Sequence, residues 1–181
     1  MKPLSMYVLC SLPGVACVAG MVLREEMALA RGRELLLDTR PVDPMSLFTG
    51  RYATEHFVAE NAPTSVPAPD PLPGYGSRVH VWLRQEGRLH VPERVTTERP
   101  QDPSVPFLRG TLMYGNTIDF DATQFYIPHE ARDPALAERG KGGVQARVSV
   151  DASGRARLLG LIVEGVPFEQ WSRSGDQRER R

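Results

Sequence analysis

"SRVHVWLRQEGRLHVPERV", residues 77–95, carries the clearest structural pattern in the chain. Apolar residues there recur at every second position, which is typical of strands that bury one face. The apolar positions of the first arm are Val79, Val81 and Leu83, and those of the second arm are Leu89 and Val91. The segment "QEG" between the arms predicts a turn. We therefore predict a β-hairpin with one buried face and one more solvated face.

Further strand patterns surround this hairpin. Apolar or alternating segments occur at 33–39, 51–60, 106–115 and 117–128, and a second hairpin pattern occupies 144–165. The segment "DPALAERGKGG" predicts one short helix, with Asp133 as its N-cap and Pro134 at its first position. The predicted fold class is mainly β: an N-terminal transmembrane helix, then a single antiparallel β domain of about seven or eight strands with one short helix.

The N-terminal segment is the longest uncharged stretch. Residues 3–23 contain no Asp, Glu, Lys or Arg. As a helix they would span roughly 30 Å, the thickness of the hydrocarbon core of a bilayer. Residues 1–30 are therefore predicted to form an uncleaved membrane anchor. A cleaved signal peptide and a lipoprotein signal ending at Cys17 are the two alternatives.

The remaining chain divides by composition. Residues 31–171 are predicted to form the β domain, and 61–76 within it to form a proline-rich loop that connects two strands. Residues 172–181 are polar and basic and are predicted to be a disordered tail. Both cysteines lie within the apolar segment, so the domain itself is thiol-free, which suits an oxidising compartment. We expect a single-pass protein of the cytoplasmic (inner) membrane with a periplasmic or extracytoplasmic domain.

Charge argues against a nucleic-acid partner. The chain has 22 basic and 22 acidic residues, so its net charge gives no field that would attract polyanions. No glycine-rich phosphate loop is present, because "GKGG" at 140–143 lacks the required spacing. We predict no cofactor and no nucleic-acid partner.

Three aromatic side chains of the hairpin are the candidates for a binding face. His80, Trp82 and His90 are expected on one face of the hairpin, with the two imidazoles as near neighbours across the strands. Two imidazoles could begin a transition-metal site, but a competent site needs a third or fourth ligand. The sequence nominates none nearby, so we predict no metal and a solvated histidine pair.

Nucleophilic catalysis has four candidate residues: Ser46, Ser104, Ser149 and Lys141. A membrane-anchored β domain with a serine and a lysine suggests a signal-peptidase-like hydrolase. In those enzymes the nucleophilic serine precedes a methionine, whereas Ser46 follows Met45, only four residues before Gly50. Lys141 lies in a glycine-rich turn, whereas an amine base needs burial to lower its pKa. We predict no catalytic residues, with a tethered hydrolase as the alternative.

A family resemblance explains the segment before the proline-rich loop. "GRYATEHF", residues 50–57, resembles the signature of the GDYXXLXY family of uncharacterised membrane-anchored bacterial proteins. The likeness extends in order over most of residues 24–165, through the "PVDP" turn that contains Asp43 and Pro44, the segments "FLRGTLMYG" and "QFYIPHEA", and both hairpins. The signature's Asp is Arg51 in this chain, its Leu is Glu55 and its last Tyr is Phe57.

These departures favour a structural motif over an active site. The turn and the aromatic positions are kept although the acidic residue is replaced by a basic one. The motif residues predicted to be structural are Gly50, Arg51, Tyr52, Glu55, Phe57, Asp43 and Pro44. The resemblance implies a location and a class of partner: relatives are often encoded beside, or fused to, multi-pass membrane proteins. We expect a non-enzymatic accessory module that contacts the bilayer through residues 3–23 and a multi-pass membrane protein. A small-ligand or metal binder using the His80, Trp82 and His90 face is the remaining alternative.

Overall fold

A computed structural model describes residues 3–41, 52–120, 124–126 and 143–179. The chain divides into two compact units, Met1–Gly32 and Arg33–Arg181, two residues beyond the predicted boundary. The first unit contains one helix, α1 (Pro3–Arg31), with Pro13 inside it. Across the described part of the chain, no helix combines the length and the apolar character that a membrane crossing requires.

The second unit is mainly β, as predicted. Its described strands are β1 (Arg33–Pro41), β2 (Tyr52–Phe57), β3 (Arg78–Glu86), β4 (Leu89–Thr96), β5 (Phe107–Leu112), β6 (Ile118–Asp119), β7 (Gln124–Tyr126), β8 (Val144–Val150), β9 (Ala156–Val163) and β10 (Val166–Pro167). The described residues therefore contain ten strands, against the expected seven or eight. The segment predicted as one strand at 117–128 contains two short strands, β6 and β7, and β10 was not predicted, because two or three residues are too few to show alternation. The helix predicted at 133–143 lies outside the described residues, apart from Gly143.

The strands form two antiparallel sheets. The six-stranded sheet has the order β10-β9-β8-β1-β2-β7, and the four-stranded sheet has the order β4-β3-β5-β6. β1 is central to the larger sheet because Arg33–Asp38 pair with β8 and Thr39–Pro41 pair with β2. The two predicted hairpins are confirmed as β3–β4 and β8–β9.

Both sheets contribute to one hydrophobic core. β1 and β8 supply its larger-sheet side, and β3 and β5 supply its smaller-sheet side. The largest side chains in it with under 2% exposure are Phe57, Phe120, Leu35, Leu37, Leu108, Ile118 and Leu161. The alternating pattern predicted Val79, Val81 and Leu83 as buried, and all three are. Burial of aliphatic and aromatic surface of this kind is the main stabilising term for such a domain.

The turn of the β3–β4 hairpin is shorter than the sequence suggested. Glu86 pairs with Leu89, so the turn consists of Gly87 and Arg88, and Gly87 has φ +61°. A difference of one residue in a turn moves every side chain of the second arm to the other face. His90 therefore pairs with Gln85 and lies on the same face of the hairpin as Leu83. The expectation that Leu89 and Val91 continue the buried face is wrong: both are only half-buried.

A β-bulge then reverses the faces again. The register shifts between Trp82 and Leu83, whose partners on β4 are Arg94 and Pro92. Glu93 is the extra residue on β4. Such an insertion returns the residues beyond it to the opposite face. Arg94 and Thr96 consequently lie on the same face as Trp82 and His80, away from the core.

Helices outside α1 are short. A 3₁₀ turn at Val58–Asn61 leads into α2 (Ala62–Ser65), so the first residues of the segment predicted as a proline-rich loop are helical. The last element is α3 (Phe168–Glu179). It begins with two buried aromatics three residues apart, Phe168 and Trp171, which attach its first turn to the core. Residues 172–179, expected to be a disordered tail, continue this helix.

Candidate functional site

The candidate site is a groove of about 680 Å³ on the face of β3 and β4 that points away from the core. Three segments form it: the strands at Trp82 and Arg94–Thr96, the proline-rich segment Pro67–Pro69, and the loop that follows β4, including Thr97–Arg99, Gln101 and Asp102. Its volume lies within the range of about 300 to 1,000 Å³ that is usual for ligand pockets. We refer to it below as the β4 groove.

Trp82 and Arg94 lie opposite each other on the two strands of the hairpin. The guanidinium carbon of Arg94 lies 3.5 Å from the centre of the Trp82 ring. This stacking is an attractive cation–π contact. The indole Nε1–H donates to Thr96 Oγ1 at 2.8 Å, and that hydroxyl donates to the carbonyl oxygen of Glu98 at 2.7 Å. These bonds hold the indole ring in one orientation.

The proline-rich segment forms one wall by pairing with the edge of β4. The backbone N–H of Val95 donates to the carbonyl oxygen of Pro67 at 2.8 Å. β4 is an edge strand of its sheet, so this bond covers part of an edge that would otherwise be open. Proline residues fix their own φ angles, which keeps Pro67–Pro69 extended beside the strand.

The loop after β4 forms the opposite wall and is attached to a distant turn. Arg99 Nη2 donates to the carbonyl oxygen of Ala152 at 2.8 Å. Asp102 Oδ1 accepts from the backbone N–H of Ser104 at 2.8 Å. Hydrogen bonds from Ser104 hold the pKa of Asp102 below its usual range, so this carboxylate is ionised at neutral pH.

His80 does not line the groove but lies beneath its loop. It is only 8% exposed, and its ring centre is 5.7 Å from that of Phe107. Burial lowers the pKa of His80, hydrogen bonding to the backbone of Thr97 opposes this, and Arg109, Arg78 and Arg99 lower it further. The prediction of a solvated residue is wrong here because the loop after β4 and the 151–154 turn cover this face.

His90 lies elsewhere. It is half-buried, and burial together with Arg33 lowers its pKa, against hydrogen bonding to the backbone of Leu36. The prediction that His80 and His90 are neighbours on one face is wrong, because the two-residue turn places them on opposite faces. Within the described ranges, no group of three or more His, Cys, Asp or Glu side chains is arranged to hold a metal ion.

The signature motif is described only in part. Gly50, Arg51, Asp43 and Pro44 lie outside the described residues. Tyr52 and Glu55 belong to β2, but only their backbone is described. The remaining motif residue, Phe57, is completely buried, and its ring centre is 6.2 Å from that of Phe120. Its backbone N–H donates to Glu60 Oε1 at 3.2 Å.

The two described serines that were considered as nucleophiles differ in solvent exposure. Ser149 is buried in β8, and Ser104 is exposed in the loop after β4, where its carbonyl oxygen accepts from Arg33 Nη1 at 2.8 Å. Ser46 and Lys141 lie outside the described residues.

Sequence reasoning identified Trp82 and noted the proline-rich segment, but it missed the rest of the groove. Arg94 and the residues from Thr96 to Asp102 carry no motif; they are a polar run after a strand. The useful signal would have been an Arg and a Trp at facing positions of a hairpin. The pairing of Trp82 with Arg94 depends on the bulge at Glu93, and no local sequence pattern predicts that bulge.

The family model described as "GDYXXLXY protein" matches residues 15–161. Neither the curated proteins nor the solved structures contain a match to this chain. The matched range includes the signature segment, the β3–β4 hairpin with every strand that contributes to the β4 groove, and the β8–β9 hairpin except its last two residues. The chain therefore belongs to the GDYXXLXY family.

Proposed function

We propose that this protein is a non-enzymatic interaction module, tethered to the cytoplasmic membrane, whose β4 groove receives a segment of a partner. The observation that carries the proposal is the groove itself. It combines an aromatic floor at Trp82, a proline wall at Pro67–Pro69 and the exposed cation of Arg94. Apolar surface with a few oriented polar groups is the usual composition of a binding site.

The tether in this proposal is residues 3–23. They are uncharged and belong to α1. Apolar side chains along the described part of this helix are exposed, among them Leu12, Val15, Val18, Met21, Val22 and Leu23, each more than half exposed. A helix with apolar side chains on all sides needs a non-aqueous cover, and a lipid bilayer is the cover we propose. The thiol-free β domain would then lie on the extracytoplasmic side.

The partner we propose is a multi-pass membrane protein, the class that the family resemblance implies. A domain tethered by a single helix stays within reach of such a partner in the plane of the membrane. Tethering also raises the effective concentration of the domain at its partner, which makes a modest groove sufficient for association.

Membrane association can be tested by alkaline extraction of isolated membranes. We expect the wild-type protein to remain in the pellet and Val15→Arg to shift into the supernatant, since a central arginine costs about 2.5 to 3.5 kcal/mol in a membrane helix. Val166→Arg, which adds the same charge to an exposed strand, is the control and should stay in the pellet. A wild-type protein released without detergent would contradict the tether.

Partner binding can be tested by site-specific photo-crosslinking in intact cells. A photoreactive amino acid at Ala68, in the groove wall, should give an adduct with an integral membrane protein. The same group at Arg88, in the hairpin turn outside the groove, is the control. The Ala68 adduct should disappear when Trp82→Ala is added. Equal adducts from both positions, or an adduct that survives Trp82→Ala, would rule out the groove as the binding face.

A further inference from the structure

We infer that Arg94, held flat on Trp82, binds a carboxylate of the molecule that occupies the β4 groove. This inference deepens the proposed function and rests on the groove being a binding face. It assigns a chemical class of ligand, a carboxylate-bearing molecule with an apolar body, and names the residue that recognises its charge.

Arg94 is oriented before any ligand arrives. The register of the hairpin places it opposite Trp82, and the ring lies 3.5 Å from its guanidinium carbon. The ring is in turn fixed by the bond from its Nε1–H to Thr96. A side chain that is already ordered loses less conformational entropy when it binds, which strengthens the interaction with a ligand.

Stacking leaves the hydrogen-bonding capacity of Arg94 unused. The contact with Trp82 engages the flat face of the guanidinium, whereas all five N–H groups lie in its plane. Arg94 makes no hydrogen bond and no salt bridge with any residue in the described part of the chain. By contrast Arg84, on the same strand pair, forms an ion pair with Glu86. Because Arg94 lines the groove and is exposed, its N–H donors are available to a ligand there.

The surrounding charges select a carboxylate over a phosphate. Both groups fit the guanidinium fork. The groove also contains the acidic residues Glu98 and Asp102 and a second cation, Arg99, whose Nη2 already donates to the carbonyl oxygen of Ala152. Hydrogen bonds from Ser104 hold the pKa of Asp102 below its usual range, so its carboxylate is charged. Two negative charges in the walls repel a dianion more strongly than a monoanion. A singly charged carboxylate beside Arg94 is the anion that this charge pattern favours.

The volume and the proline wall indicate a ligand larger than the carboxylate alone. About 680 Å³ is far more space than one carboxylate fills, and Pro67–Pro69 with the Trp82 ring offers apolar surface beside the cation. The carboxylate could belong to a small free acid or to an acidic residue of an extended polypeptide. The same chemistry recognises both sources, and the experiment separates them.

The test follows the Trp82 indole N–H of the isotope-labelled full chain in detergent micelles by NMR titration. The chain has two tryptophans, and Trp82→Phe identifies the signal. The peptide probe is acetyl-Ala-Pro-Glu-Pro-Ala-amide with its Gln counterpart, and the small-molecule probe is the monoanion butyrate with butyramide. We expect at least one carboxylate probe to shift the signal with about fivefold higher affinity than its amide counterpart.

Substitutions of Arg94 and Arg84 test whether the preference for the acid over the amide depends on the Arg94 guanidinium. Arg94→Gln should remove that preference, and Arg94→Lys should restore only part of it because an ammonium lacks the fork. Arg84→Gln, which deletes a cation outside the groove, should leave the affinity within about twofold of wild type. Selectivity for the peptide would assign the carboxylate to a polypeptide, and selectivity for butyrate would assign it to a small acid. Either result supports the inference.

Several results would overturn it. Equal affinity for acid and amide probes would do so, as would an unchanged preference in Arg94→Gln or tighter binding of inorganic phosphate than of every carboxylate. The inference and the proposed function fail separately. A missing Ala68 crosslink with a positive titration removes the protein partner and keeps the carboxylate site. A specific crosslink with no carboxylate preference keeps the partner and removes this assignment.

Discussion

At the scale of single residues, His80 is a polar side chain whose burial disfavours its charged form. It is 92% buried, and its Nδ1 has no hydrogen-bond partner among the described residues. Arg78, Arg99 and Arg109 all disfavour a charge on the ring. The imidazole is therefore kept neutral in the folded protein, and protonation works against the fold.

We predict that stability decreases as the pH falls. The folded pKa of His80 is lowered, so the unfolded chain binds more protons once the pH drops below about 6.5. The free energy of unfolding should be highest above that value, fall as the pH drops through it, and level off below the folded pKa. His90, whose pKa is also lowered, contributes in the same direction. Urea unfolding measured between pH 8 and pH 5.5 gives this profile. The whole range lies above about 4, the pH near which most carboxylates titrate.

Two variants separate the contributions to this profile. His80→Gln should flatten it more than His90→Gln, because His80 is more deeply buried and faces three arginines. A free energy of unfolding that rises as the pH falls would contradict the prediction. So would a His80→Gln profile identical in slope to that of the wild type.

At the scale of elements, the turn between β8 and β9 closes over the outer face of the smaller sheet. Asp151 organises this turn by accepting from the backbone N–H groups of Ser153 and Arg155 and by pairing with Arg157. Burial acts to raise the pKa of Asp151, but these hydrogen bonds outweigh it and hold the pKa below its usual range. Gly154 completes the junction, since its carbonyl oxygen accepts from the Arg109 N–H at 2.7 Å.

We predict that Gly154→Ala is more destabilising than the matched change Gly165→Ala. Both glycines have positive φ, +80° and +81°, so both variants carry backbone strain of about 1 to 2 kcal/mol. A methyl group at 154 would also lie 2.3 Å from the Phe107 ring, whereas one at 165 meets nothing within 4 Å. Such overpacking adds roughly 1 to 3 kcal/mol. Denaturant unfolding of the two variants gives the difference in their free energies of unfolding. Equal decreases would show that the turn at 154 rearranges to accommodate the methyl group.

At the scale of the whole molecule, one core joins the sheets, and Phe57 lies within it. Phe57 ends β2, contacts Phe120 after β6, and belongs to the same buried cluster as Leu35 of β1 and Val81 of β3. A residue inside a core that several elements share should contribute to the stability of all of them. The structural interpretation of the signature motif depends on this position.

We predict that Phe57→Ala lowers the free energy of unfolding of the β domain by about 3 to 5 kcal/mol, the usual cost of deleting a buried phenylalanine ring. Unfolding should remain a single transition by fluorescence and circular dichroism, because the core is shared by both sheets. Val166→Ala, at a position 38% exposed, is the control and should change stability by less than about 1 kcal/mol. A Phe57→Ala protein of wild-type stability that loses partner binding would make the motif a binding site.

The sequence by itself determined the family, the mainly β class, both hairpins and the buried face of β3, because alternation with a period of two is a local property. Only the tertiary structure decided which face each residue of β4 occupies. The one-residue difference in the turn at Gly87 and the bulge at Glu93 each reverse the faces, and neither alters the alternation that a sequence shows. The burial of His80 and the walls of the β4 groove have a related cause. They depend on segments that meet only after folding, such as Arg99 and Ala152, whose contact no local pattern encodes.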